Sequence, residues 1–324
     1  MDANIRRMLH IFTDPRCLEH APPAGFPERA ERVRGIAGHL RRNGWDLSEK
    51  APPELAVEAP ILAVHADDYL ERFRQAMAQG EDRLDTEDNP LSAGTWNTAM
   101  AAVATALQAT AWVEEAPGRH GFALIRPPGH HAEHAMAMGF CYVNNVAVVA
   151  QHLIAHRGLA KVAILDFDVH HGNGTQHLFE ERPDVLYVSL HQYPFYPGTG
   201  ARSEIGLGAG EGATLNVPLP AGSGDARYLE AYREEVLPAL RAFAPEMLLV
   251  SAGFDAWKDD PLGGMEVSLD GFAHWGEMLG ELADEVCAGR SVSLLEGGYD
   301  VARLPELVEH YLLGLSGRRP RPAD

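Results

Sequence analysis

The segment KVAILDFDVHHGNGTQ, residues 161–176, passes within a few positions from apolar residues to a cluster of ionisable ones. Val162, Ala163, Ile164 and Leu165 form a short apolar run of the kind a strand covered on both faces requires. Directly after it come Asp166, Asp168, His170 and His171. A strand points successive side chains to opposite faces, so the spacing of two predicts that Asp166, Asp168 and His170 lean to one side. Two carboxylates and an imidazole gathered in water-poor surroundings are unfavourable unless something positive sits among them. A cation meets that need.

Strand character recurs along the chain, in FALI (122–125), KVAIL (161–165), VLYVSL (185–190), MLLVSA (247–252) and SVSLL (291–295). Helical patterns lie between them at 144–157, 226–243, 270–288 and 304–315, with earlier helices near 28–42 and 94–115. This alternation implies an α/β fold with a mostly parallel central sheet and helices on both faces. Stretches rich in Gly and Pro, YPFYPGTG (193–200), GLGAGEG (206–212) and PLPAGSGD (218–225), read as long loops within that fold. A chain of 324 residues could hold two average domains, but no charge run, repeat or composition break marks a boundary. A single domain over 1–324 is expected.

The 46% hydrophobic content can fill a large core, and the net charge of -19 argues against partners such as nucleic acid or an anionic membrane surface. The same acidity would help collect a cationic substrate, or serve solubility alone. Cys17, Cys141 and Cys287 are too few and too far apart for a disulfide framework or a thiolate zinc site, so the protein reads as cytoplasmic. The N-terminal stretch MDANIRRMLHIFTD lacks the apolar core of a signal peptide, and the apolar stretch from Ala101 to Val113 is too short to span a membrane.

The residues just past each strand carry the chemistry. After FALI comes Arg126-Pro-Pro-Gly-His130-His131; after VLYVSL, His191; after MLLVSAGF, Asp255; after SVSLL, Glu296-Gly-Gly-Tyr299. In a parallel sheet the carboxyl ends lie along one edge, where ligands bind. A lone carboxylate past a strand is more often a helix cap, and a lone His pair more often packed or at the surface. Asp166 and Asp168 beside His170 resist that reading. With Asp255 from a neighbouring strand, Asp168 and His170 make an Asp-His-Asp set, and three ligands with an open position describe a catalytic metal. Oxygen and nitrogen donors without thiolate suit zinc, and also ferrous iron or manganese; zinc is favoured. His130 and His131 supply imidazoles for proton transfer near neutral pH, Asp166 could orient one of them, and the Tyr299 hydroxyl could donate to an oxyanion.

Taken together, RPPGHHAE (126–133), GFCYVNNVA (139–147), DFDVHHGNGTQ (166–176), SLHQYPFYPGTG (189–200), SAGFDAW (251–257) and EGGYD (296–300) resemble the histone deacetylase superfamily, in the family's order and over nearly the whole chain. The resemblance implies an arginase/deacetylase-like fold and zinc-dependent hydrolysis of an acylated amine, with one zinc per chain. It implies Asp168, His170 and Asp255 as zinc ligands, His130 and His131 as the tandem acid/base pair with His131 the general base and acid, Tyr299 as the carbonyl-polarising hydroxyl, and Asp166 as the partner of His130. A structural potassium ion is implied at Asp166, Asp168, His170, Ser189 and Leu190, several of them through backbone carbonyls.

Asn173 stands where one branch of the family carries Asp behind the second His, and so resembles the class II and bacterial deacetylase-like branch; a neutral amide should leave His131 less cationic. The substrate tunnel would be lined by Gly139, Phe140, Tyr196 and Leu262, an apolar slot for an extended alkyl chain. Looser matches put Asp88 at the rim as a carboxylate that grips substrate and Arg29 along an internal acetate channel. The expected partner is an acylated lysine side chain or a small acylated amine, with acetyl-lysine ahead of acetylpolyamine; Leu262, standing where some polyamine-specific relatives place a carboxylate, weighs against the latter. A non-hydrolytic binding module has no use for an acid/base pair. A ureohydrolase of the arginase kind would need a bridging Asp-x-Asp pair that residues 252–260 do not offer.

Overall fold

The computed structural model describes residues 7–49 and 57–318. Residues 1–6, the start of the stretch MDANIRRMLHIFTD, lie outside the described residues, as do the last residues of the domain expected over 1–324. Strands β1 (Met8–Phe12), β2 (Leu47–Ser48), β3 (Arg119–Ala123), β4 (Val162–Asp166), β5 (Val185–Gln192), β6 (Thr214–Leu219), β7 (Met247–Ala252) and β8 (Ser291–Leu295) form one sheet in the order β2-β1-β3-β8-β7-β4-β5-β6. Each of its pairings is parallel.

The helices are α1 (Glu31–Arg42), α2 (Glu58–Leu62), α3 (Asp67–Gln79), α4 (Thr95–Glu114), α5 (Asn145–Arg157), α6 (Asn173–Phe179), α7 (Asp225–Ala231), α8 (Leu237–Phe243), α9 (Leu269–Cys287) and α10 (Leu304–Leu315). Alternate residues of the central strands feed two cores, which is why these strands read as unbroken apolar runs. Ala163, Leu165, Val188, Leu190, Leu248 and Val250 pack with Ile36 of α1, Trp275 of α9 and Tyr311 of α10. Val162, Ile164, Val185, Tyr187, Met247 and Leu249 pack with Phe73 of α3, Ala102 of α4 and Val146 of α5. No helix among the described residues is long and apolar enough to cross a membrane.

Several elements depart from the sequence expectations for physical reasons. β3 begins at Arg119, ahead of FALI, because buried His120 finds the Ser291 hydroxyl on β8 at 2.8 Å. β6 occupies residues expected to lie in and before a loop; it is an edge strand, where Pro218 costs no internal ladder bond. The helix expected over 226–243 is two α-helical pieces joined by a π-helical turn, Tyr232–Val236, next to Pro238, which cannot donate into a regular helix. β4 ends at Asp166, so the strand period does not set the directions of Asp168 and His170. Past Asp166 the chain curls instead, each carboxylate taking the N–H two residues on: Asp168 N to Asp166 Oδ1 at 3.1 Å and His170 N to Asp168 Oδ1 at 2.9 Å.

Candidate active site

The order β3-β8-β7-β4-β5 sets the carboxyl ends of these strands side by side. The segments at 126–131, 296–299, 255, and 166–173 therefore meet at one edge despite their separation in sequence.

Single donor atoms of Asp168, His170 and Asp255 lie within 4.8 Å of one another. Backbone amides hold both carboxylates in place: Gly297 N donates to Asp168 Oδ2 at 2.8 Å and Val169 N to Asp255 Oδ1 at 2.9 Å. Asp255 Oδ2 is buried and accepts no hydrogen bond among the described residues, although His170 Nδ1 lies 3.2 Å away. A buried acceptor left without a donor costs about 1–3 kcal/mol. Burial and the Asp168 charge push Asp255 up to about 7. His170 is lowered by burial, but its two carboxylate neighbours outweigh that and bring it to about 10. The set calls for positive charge, and two carboxylate oxygens with one imidazole nitrogen suit a divalent cation of the zinc, iron or manganese kind. Asp166 and Ser189 are buried cross-strand partners in the β4/β5 register, with Leu190 next along β5.

The rings of His130 and His131 lie tilted against each other, with centroids 4.0 Å apart, but have opposite surroundings. His130 Nδ1 lies 2.9 Å from Asp166 Oδ2, which also accepts from the Tyr187 hydroxyl at 3.1 Å. Burial lowers His130, but Asp166, Asp168 and Glu296 together raise it to about 10. His131 Nδ1 lies 2.7 Å from Asn173 Oδ1, and burial, with His130 and His170 close by, holds this imidazole well below its usual range. Two titratable groups pushed in opposite directions are the usual mark of separate acid and base duties. Gly172 makes the Asp166–His130 contact possible, since a Cβ there would collide with Asp166 Oδ2.

A pocket of about 250 Å³ is lined by His131, His170, Tyr299, Gly139, Phe140, Phe195, Tyr196, Leu262 and Asp88. The four residues expected along the tunnel, and Asp88 expected at its rim, are in it. His130 is not, and sits behind His131. Phe195, absent from the sequence expectation, stacks on His170 at 5.4 Å and 17°; its place beside Tyr196 in YPFYPGTG was the available signal. Tyr196 meets the His131 ring edge-on at 5.2 Å, and Phe140 meets Tyr299 at 5.8 Å. Gly139 has φ +59, and a Cβ there would strike His131 Cδ2. Phe140 adopts φ 68, at a cost of about 1–2 kcal/mol for a residue with a side chain, to aim its ring into the pocket. At the rim, Asp88 Oδ2 accepts from Gly139 N at 3.1 Å and from the Tyr196 hydroxyl at 3.2 Å, and Asp88 Oδ1 from the Thr86 hydroxyl at 2.5 Å.

Residues to which the sequence assigns no role, Glu28 and Arg32 among them, hold these loops together with Arg126 and Glu296. Glu296 Oε2 accepts from Gly129 N at 2.6 Å and His130 N at 3.2 Å, pinning the histidine turn to β8. Arg126 donates to both oxygens of Glu28, at 2.8 and 2.7 Å. Arg32 donates to Glu28 at 3.3 Å, to Gly298 O at 2.7 Å and to Glu296 O, with its guanidinium 4.9 Å from the Tyr299 ring centre. Arg29 does not line the pocket; it lines a separate cavity of about 360 Å³ with Leu18, His20 and Phe26. The guanidinium behind Tyr299 is that of Arg32.

Glu28 yields a pH prediction. Burial would raise it, but Arg126, with Arg32 and His20, holds it at about 2, below its ordinary 4.5. A depressed acid stabilises the fold above its unfolded value and loses that contribution as pH falls from about 4.5 to about 2, a change of about 3 kcal/mol at 1.36 kcal/mol per unit. Glu28→Gln should therefore destabilise by about 3–5 kcal/mol at pH 7. Melting curves from pH 7 to pH 3 should show the deficit against the parent shrinking; a constant deficit would contradict the assignment.

The Histone deacetylase domain family matches residues 26–315. A protein named "Probable deacetylase" from Archaeoglobus fulgidus is 38% identical over 287 residues, covering 88% of this chain and 79% of its own. Among solved structures, the HDA15 HD domain superposes with a TM-score of 0.88 at 35% identity, covering 98% of this chain and 92% of that one. An acetylpolyamine aminohydrolase from Burkholderia pseudomallei superposes with a TM-score of 0.84 at 34% identity, covering 96% of this chain and all (100%) of that one.

Proposed function

This chain belongs to the histone deacetylase family, and from that premise we propose a zinc-dependent amidohydrolase that removes acetyl or other acyl groups from acylated amines, with acetyl-lysine in a protein or peptide as the foremost substrate. One observation carries the reading: a single aromatic-walled pocket brings His170 of the Asp-His-Asp set together with His131 and Tyr299. Zinc held by Asp168, His170 and Asp255 would polarise the acyl carbonyl and make a nearby water more acidic. His131, facing the pocket, takes the proton from that water and later passes it to the departing amine, a role worth about 10²–10⁴ in rate. Asp166 fixes the ring of His130 behind it. The Tyr299 hydroxyl donates to the oxygen on which negative charge develops, worth about 10²–10³. Phe140, Phe195 and Tyr196 flank the methylenes of an extended side chain and exclude water.

Structural potassium is proposed at Asp166, Asp168, His170, Ser189 and Leu190, whose carboxylate, hydroxyl and carbonyl oxygens suit a hard monovalent ion. The catalytic unit is proposed to span 1–324. A cytoplasmic location is supported by three buried free thiols, Cys17, Cys141 and Cys287.

Acetylpolyamine hydrolysis is a second reading, supported by the net charge of -19 and by the likeness to the Burkholderia pseudomallei enzyme. Leu262 in the pocket lining weighs against it, because a second ammonium group there would meet an apolar side chain. Metal-quantified protein assayed on an acetyl-lysine peptide, N-acetylputrescine and acetylspermidine decides between them. The peptide is expected to lead in kcat/KM by about tenfold or more. The reverse order moves the substrate to polyamines, and no turnover of any of the three by fully loaded protein rejects the hydrolase reading.

A further inference from the structure

Asn173 opens α6 with its side-chain amide between His131 and the loop beyond that histidine. The two ends of an amide are told apart by their partners. One end lies 2.5 Å from Glu133 Oε1, 3.4 Å from His131 O and 3.3 Å from Met138 Sδ, a carboxylate, a carbonyl and a thioether. None of these atoms can donate, so this end is the NH₂. The oxygen therefore faces His131 Nδ1 at 2.7 Å, and that nitrogen must carry the proton of the neutral ring. Nε2 is left with the lone pair. Of the three acceptors Glu133 is the strong one, since an N–H bond to a carboxylate is about twice as strong as a neutral one. The same Glu133 oxygen lies 2.8 Å from Nδ1 of His177, a half-exposed residue of α6, so the carboxylate is held from both sides.

We propose that Glu133 is a positioning residue: by holding the Asn173 amide in one orientation it locks His131 in the Nδ1–H tautomer, with Nε2 as the proton acceptor in the pocket. The proposal rests on the reading of His131 as general base. Without Glu133 the amide is free to turn over and present its NH₂ to Nδ1. That orientation stabilises the Nε2–H tautomer, which has no lone pair for the attacking water.

The test uses zinc-loaded protein labelled with ¹⁵N-histidine, in which multiple-bond ¹H–¹⁵N spectra distinguish the two neutral tautomers and His131→Ala identifies the His131 signals. The parent should show Nδ1–H alone. Glu133→Ala should show the Nε2–H form in part or in full, with kcat lowered about 10- to 100-fold and KM within about twofold. Glu133→Gln, whose amide oxygen can still accept from Asn173, should restore the Nδ1–H signature and most of kcat. If His131 stays in the Nδ1–H form in Glu133→Ala, the proposal is overturned whatever happens to kcat. A tautomer change in Glu133→Ala combined with full turnover by His131→Ala would keep the lock and discard the general-base reading, so the two failures are separable.

Discussion

Replacing His131 by alanine is expected to lower kcat by about 10²–10⁴-fold while bound metal stays near one ion per chain. The expectation comes from where the ring stands. His131 lines the pocket, makes no contact with Asp168 or Asp255 close enough to ligate alongside them, and is the member of the tandem pair kept neutral by burial and by the neighbouring His130 and His170. Its neighbour His130 has Asp166 at 2.9 Å and no place in the pocket wall. On the proposed mechanism, loss of the His131 ring therefore removes proton transfer without taking a donor from the Asp-His-Asp set. Metal analysis and steady-state assays on the same preparation separate these effects. Turnover within about threefold of the parent would remove His131 from the mechanism.

Asp255→Ala is expected to have the largest effect of any single change, because it takes away one of three donors from a site with few to spare. Bound metal should fall well below one ion per chain and turnover should become undetectable above background. Stability gives a second measure. In the parent, metal at a thousand times its Kd should stabilise the fold by about 4 kcal/mol through mass action. The variant should show little rise in Tm on metal addition, since the remaining Asp168 and His170 form only half a cage. Stoichiometric metal in Asp255→Ala would show that the ion is held elsewhere.

How much could be read from the sequence depended on how each segment is buried. β4, β5, β7 and β8 are covered on both faces, so their apolar runs stand out, and the polar residues after them mark the functional edge of the sheet. β1 and β6 escaped notice because one carries His10 amid exposed and half-buried positions and the other carries Asn216 and Pro218 at the sheet margin. At the site, the Asp-His-Asp grouping was legible from its place after β4 and β7, yet a shared strand face accounts for it only as far as Asp166. Glu28 and Arg32 were not legible as parts of the site, and Glu133 and Glu296, though inside the motifs, carried no sign of what they hold. Glu28 and Arg126 are 98 positions apart and Glu296 and Gly129 are 167 apart, and no local pattern announces a pair that only the folded chain brings together.

The hydrogen bond from Tyr196 to Asp88 has a consequence for how anything enters. A carboxylate has about four lone-pair positions. At Asp88, Gly139 N, the Tyr196 hydroxyl and the Thr86 hydroxyl already occupy three. The doorway thus has one vacancy for a visiting donor, and a guest that arrives with two adjacent N–H groups must evict the tyrosine to seat both. On the proposed function, selection between a broad polypeptide and a slender diamine would begin at this threshold, ahead of the Asp-His-Asp set.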